Sequence, residues 1–188
     1  MKKVLIIALA ALLLVGATIG GTYAWLMDKT DPITNTFTVG NVSITLTETE
    51  RTYKMVPGND LPKDPAITVA AGSEACWVFV KIDKSENFDN YMTFDVAEGW
   101  EQLKNGDVAV PGVYYRAQAA LTAEGATAAE YGVLKGDVVS VLKDVTKAQM
   151  EAVSGENYES APTLTFTGYA IQADGFETAY KAWTEVSK

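Results

Sequence analysis

Ser140-Val141-Leu142-Lys143 has the S-x-x-K spacing in which a lysine one helical turn away activates a serine nucleophile. Neither S-D-N nor K-T-G accompanies it, and the surrounding Val138–Val145 patterns as a strand, so the match rests on its two fixed residues alone. Asp60, Asp64, Asp83, Asp89 and Asp95 offer the hard oxygen ligands that calcium takes, yet no D-x-[DN]-x-[DN]-G loop gathers them. They are expected to form a solvated acidic surface. Carboxylate pairs for glycoside hydrolysis depend on separation in space, and no pair stands out by spacing. Cys76 is the only cysteine, which rules out an intramolecular disulfide. It opens the alternating apolar face Cys76-Val78-Val80-Ile82 and is expected in the core. The chain has no histidine. Ser-His-Asp, Cys-His and HExxH chemistry are thereby excluded. No catalytic residue, cofactor or metal site is assigned, and the protein is expected not to be an enzyme.

The elements that must position any site begin with composition. Fifteen Lys plus Arg stand against 24 Asp plus Glu, a formal net charge of −9. That balance argues against nucleic acid as a partner, because phosphate binding needs clustered cations. With 188 residues, 48% hydrophobic and 21% charged, the chain has material for one packed domain.

Lys2 and Lys3 precede the uncharged, aliphatic run Val4–Ala17, and Thr22-Tyr23-Ala24 closes the segment. A basic start, an apolar middle and small residues at −3 and −1 describe a secretory signal peptide. Residues 1–24 are expected to be removed between Ala24 and Trp25. The product is then secreted, to the extracellular matrix or cell surface, with no membrane association after cleavage. No second apolar run of spanning length follows.

Residues 25–36 are polar, contain Pro32 and show no period, as expected of a mobile lead-in. Residues 37–188 are expected to form a single β-sandwich domain. Phe37 and Val39 alternate with threonines, and Val42, Ile44 and Leu46 do so after Gly40-Asn41. Tyr53–Val56 extends as a strand to a type II turn at Pro57-Gly58, and Leu61–Pro65, with two prolines, reads as a loop. Ile67–Val69, Ala75–Asp83, Met92–Val96, Val113–Gln118 and Thr163–Gln172 are further strands, and Val138–Val145 contains another, entered by a turn at Gly136-Asp137. Ala75–Asp83 begins apolar on both faces, as a central strand covered by another element would. Ala119–Glu130 is alanine-rich and fits helix or loop. Thr146 and Gln149 form a capping box for a helix to about Val153, and Asp174 with Glu177 resembles a second. Phe176, Ala179, Tyr180, Trp183 and Val186 then give an amphipathic C-terminal helix. Val78, Val80, Phe166 and Trp183 are expected to be buried. The pattern is mainly β: an antiparallel sandwich with short helices.

Three blocks of this chain resemble the TasA/camelysin family, exported proteins of Gram-positive bacteria that include a biofilm-matrix fibre subunit. They are Gly20–Trp25 with Asn35–Ile44; Met55–Gly58 with Lys63-Asp64-Pro65 and Ala75–Lys81; and Leu164–Phe176 with Ala182-Trp183. Residues 119–161 match the family least. The resemblance implies a jelly-roll-like β-sandwich, a leader removed by a dedicated signal peptidase, and fibres joined by donor-strand complementation. The metallopeptidase activity ascribed to camelysin is not carried over, since no histidine is present to hold zinc. Residues 25–36 become the candidate donor strand, with Trp25, Leu26, Ile33, Thr34 and Thr36 as its contact residues. The physical case agrees: an exported sandwich without disulfides must satisfy its edge strands, and β-augmentation does so. Self-association into fibres is the expected function. The alternative is a monomeric extracellular binding module or adhesin.

Overall fold

The run Cys76–Lys84 shows how this sequence builds its layers. Its even-numbered residues Cys76, Val78, Val80 and Ile82 are buried in one core, while Phe79 is buried in a second core on the opposite face. A strand apolar on both sides must lie inside a sheet with something packed on each face. In the computed structural model, which describes residues 41–49, 54–154 and 160–188, this strand does so.

Ten strands are described: β1 Ile44–Thr47, β2 Asp60–Pro62, β3 Ala66–Val69, β4 Cys76–Lys84, β5 Met92–Thr93, β6 Glu101–Asn105, β7 Val108–Gln118, β8 Ala129–Gly132, β9 Val138–Val141 and β10 Leu164–Gln172. The described residues also form two short α-helices, α1 Lys147–Ala152 and α2 Ala179–Val186. The strands form three antiparallel sheets, ordered β1-β3-β8, β10-β4-β7-β6 and β2-β9-β5. Hydrogen bonds from Lys63 N to Asp137 O (2.7 Å) and from Val133 N to Pro65 O (2.8 Å) carry pairing across the bend between the two three-stranded sheets. These two sheets form one bent layer against the four-stranded sheet. Ile67 and Val69 of β3, Val139 and Val141 of β9, and the even face of β4 share the main core. The layers approach closely at Gly168 of β10, where a Cβ would stand 3.2 Å from Ile67 Cδ1 and 3.6 Å from Ile44 Cδ1. The fold is therefore mainly β, antiparallel and layered like a sandwich. The jelly-roll connection order remains an expectation of the resemblance.

The outer face of the four-stranded sheet is covered by α2. Thr178 caps this helix, its hydroxyl accepting from Lys181 N at 3.2 Å, and Ala179, Ala182 and Trp183 turn inward. Trp183 lies 5.4 Å from the Phe79 ring and edge-on to Tyr169 at 5.1 Å, contacts each worth about 0.5–1.5 kcal/mol beyond area burial. The aromatic stripe acts as expected, but the expected capping pair Asp174 and Glu177 does not. Thr178 is the extended residue from which the helix starts, and Glu177 instead pairs with Lys181. The Thr146–Gln149 capping box forms as expected and starts α1. The Pro57-Gly58 turn also forms, with Gly58 at φ +80 and Asn59 N bonded to Val56 O at 3.0 Å.

Other expectations are corrected. Leu61–Pro65 is not wholly loop, because Asp60–Pro62 pairs with Val138–Ser140. Proline is tolerated there because β2 is an edge strand and needs no donor on its outer side. Residues 54–56 lie outside any strand. Within Met92–Val96 only Met92–Thr93 is a strand, and Val96 contributes an isolated bridge to Leu134. Ala119–Glu130 is neither helix nor loop throughout, since β8 begins at Ala129. Phe166 is half-buried, whereas Val78, Val80 and Trp183 are buried as expected. β10 is the outermost strand of its sheet, so the Phe166 side chain meets the rim of the core.

Candidate functional site: an open strand edge and its groove

The four-stranded sheet ends at β10 and one three-stranded sheet ends at β1, and these two edge strands lie against each other. The polarity of the β10 edge follows from the ladder. Ser85 N donates to Thr163 O at 3.0 Å and Ala173 N donates to Ala75 O at 2.8 Å, so the odd residues of β10 bond to β4. The N–H and C=O groups of Leu164, Phe166, Gly168, Ala170 and Gln172 therefore point away from β4. Among the described residues no strand pairs with them. β1 shows the same alternation. Ser43 O accepts from Ala70 N at 2.9 Å, which directs Thr45 and Thr47 toward β3 and the backbone of Ile44 and Leu46 outward.

Between the ends of these strands lies a groove of about 370 Å³, with Leu46, Pro65, Leu164 and Phe166 among its walls. Its rim is polar. Lys63 is paired with Glu48, both side chains less than a fifth exposed, and its ammonium stands 5.6 Å from the centre of the Phe166 ring. Asp64 accepts from Thr49 twice, from its N–H at 3.0 Å and from its hydroxyl at 2.5 Å. These two bonds, led by the hydroxyl, hold the Asp64 carboxyl below its ordinary pKa. Leu46 is 37% exposed beside this rim. The site thus offers unpaired backbone groups, an apolar trough and a fixed polar border. Extended peptide is the ligand that such features recognise.

The cleavage residues Ala24 and Trp25 and the candidate donor residues Trp25, Leu26, Ile33, Thr34 and Thr36 lie outside the described residues. The remaining candidates are dispersed. Ser140 sits on β9 and donates to Asp60 Oδ1 at 2.6 Å, so the S-x-x-K residues do not share a helical turn. Asp83 pairs with Lys81 and Asp89 with Lys84. Among the described residues no group of three or more acidic or cysteine side chains is placed to hold a metal ion. Cys76 is fully buried, and burial raises its thiol pKa. A second groove of about 400 Å³ lies at the opposite end of the sheet, between β6 and α2. There Tyr115 donates to Glu101 Oε2 at 2.8 Å, and that hydrogen bond raises the phenol pKa. Among the described residues no helix is long and apolar enough to cross a membrane. Compared with known proteins, the chain matches no family model, no curated protein and no solved structure.

Proposed function

We propose that the protein is an exported, non-enzymatic structural subunit that assembles by strand addition, residues 25–36 of one copy pairing with the open edge of β10 in the next. The observation that carries this reading is the edge itself, with five alternate residues of β10 turning their backbone groups outward beside an apolar groove. The sequence resemblance to the TasA/camelysin family and the leader-like residues 1–24 support export and assembly. An added strand would form hydrogen bonds worth about 0.5–1.5 kcal/mol net each, against roughly 1–2 kcal/mol per residue of ordering. With burial of a few side chains such as Trp25, Leu26 or Ile33 added to the hydrogen bonds, the terms nearly cancel. Assembly should therefore depend on concentration and on the side chains seated in the groove. Removal of residues 1–24 takes away Lys2 and Lys3 and no acids, so each copy carries −11 (13 − 24), and this repulsion between copies is screened by salt.

Two variants test the proposal in the secreted protein. Deleting residues 25–36 removes the donor. Ala170→Pro removes an N–H that points away from β4, so it blocks the edge without breaking a bond to β4. Both should be folded monomers that do not elongate, seen by sedimentation and electron microscopy. Fibres of unchanged repeat from the deletion variant refute the donor assignment, and fibres from A170P refute the acceptor edge. Sequencing of the secreted product should begin at Trp25.

A further inference from the structure

Arg116, one of only two arginines in the chain, lies on β7 opposite Val78 of β4. Its guanidinium carbon is 3.5 Å from the centre of the Tyr131 ring and 5.5 Å from that of Trp100. Gly99 closes in on the same group, where a Cβ would stand 3.2 Å from Nη2 and 3.5 Å from Cζ and Nη1. The rings are themselves held. Trp100 Nε1 donates to Gly132 O at 2.9 Å, and the Tyr131 hydroxyl donates to Gln118 Oε1. Packing thus fixes the guanidinium in place.

Its charge is unanswered. The ion pairs of the described residues all use lysine, and Arg116 takes part in none. Nε is fully buried without a hydrogen-bond partner, whereas Nη1 and Nη2 are not among the fully sequestered atoms. Burial without a facing carboxylate lowers the pKa of the group. Ring stacking offsets part of that desolvation but satisfies none of the donors. Packing accounts for the stacked faces. It does not account for a planar pair of donors that are not fully sequestered and have no acceptor among the described residues, in a chain with 24 acidic residues.

We propose that Arg116 is an oxyanion-binding residue, its two Nη groups holding a carboxylate or sulfate of an acidic ligand beside Gly99, Trp100 and Tyr131. A planar fork already fixed in orientation suits bidentate recognition of such groups. The site belongs to β7 and the far edge strand β8, away from the β1–β10 groove, and stands independently of strand addition. The anion comes either from a free acidic molecule or from an Asp or Glu of a second copy.

Sodium sulfate and sodium acetate, titrated at constant ionic strength against chloride, are the probes. Tryptophan fluorescence and the Arg116 Nε–H resonance are followed in the wild-type protein and in R116K. Saturable shifts are expected in the wild type, and affinity roughly tenfold weaker in R116K, because lysine keeps the charge but loses the fork. Equal saturable binding in R116K overturns the proposal. If R116K does not fold, the wild-type resonance decides, and a resonance unmoved by either anion overturns it. Sedimentation then separates the sources. Self-association weakened by sulfate identifies an acidic side chain of a second copy, and self-association indifferent to sulfate identifies a free acidic ligand.

Discussion

At Gly112 a Cβ on β7 would run into the β4 backbone, and replacing this glycine with alanine tests the sheet geometry directly. Its φ is +68, and a Cβ would stand 2.4 Å from Ile82 O and 3.4 Å from the Ile82 carbonyl carbon. An ordinary carbon–oxygen approach is about 3.3 Å, so β4 and β7 must part by roughly 0.9 Å at this point. The left-handed conformation costs alanine about 1–2 kcal/mol, of which reduced freedom of the unfolded chain returns about 0.4–1. Parting the strands beside the last register pair, Lys81 with Val113, weakens one or two hydrogen bonds of about 0.5–1.5 kcal/mol each and loosens the buried Val113. The expected loss for Gly112→Ala is about 2–4 kcal/mol. Gly72→Ala is the control, since Gly72 has φ +82 and nothing within 4 Å of a Cβ, leaving only the conformational cost of about 1 kcal/mol. Urea unfolding followed by tryptophan fluorescence measures both. Equal losses in the two variants would refute the close approach of β7 to β4.

Phe79→Ala should cost about 3–5 kcal/mol, because it empties the centre of the outer core. Phe166→Ala should cost clearly less by the same denaturant measurement, because that ring is half-buried at an edge. Thr146→Ala removes the capping box of α1 and should cost about 1 kcal/mol, read from the urea midpoint. Asp64 has a folded pKa below its ordinary 3.8, so its contribution to stability is present above that value and is lost as pH falls through the folded pKa. Asp64→Asn should flatten the acid limb of a melting-temperature profile below pH 3.8, and an unchanged limb would contradict the Thr49 contacts. Cys76 should react with a thiol reagent only as fast as the protein opens, and fully once it is unfolded.

What the sequence discloses depends on whether the signal is local. β4 and β10 are legible because their own residues alternate or run apolar over nine positions. The capping box at Thr146 is legible because its two partners are three residues apart. The β6–β7 hairpin is not anticipated as a hairpin, because Glu101–Asn105 is polar apart from Leu103. Gly106-Asp107, its two-residue turn, was the available signal. β2 was hidden by Pro62, and only its position at a sheet edge explains it. The open edge of β10 and the surroundings of Arg116 escape sequence reasoning for one reason. Whether a strand is outermost, or a cation faces a carboxylate, is decided by which distant segments meet.

The alternation along β10 also divides a single strand into two populations of amides in time. Those of Thr165, Thr167, Tyr169 and Ile171 are tied to β4, so their deuterium uptake requires the sheet to open. Those of Leu164, Phe166, Gly168, Ala170 and Gln172 have no such tie, and in a lone copy they exchange without any opening of β4. Neighbouring residues of one strand thus carry separate clocks, one set by global stability and the other by whatever covers the edge. When another strand occupies that edge, the fast set slows to join the slow one.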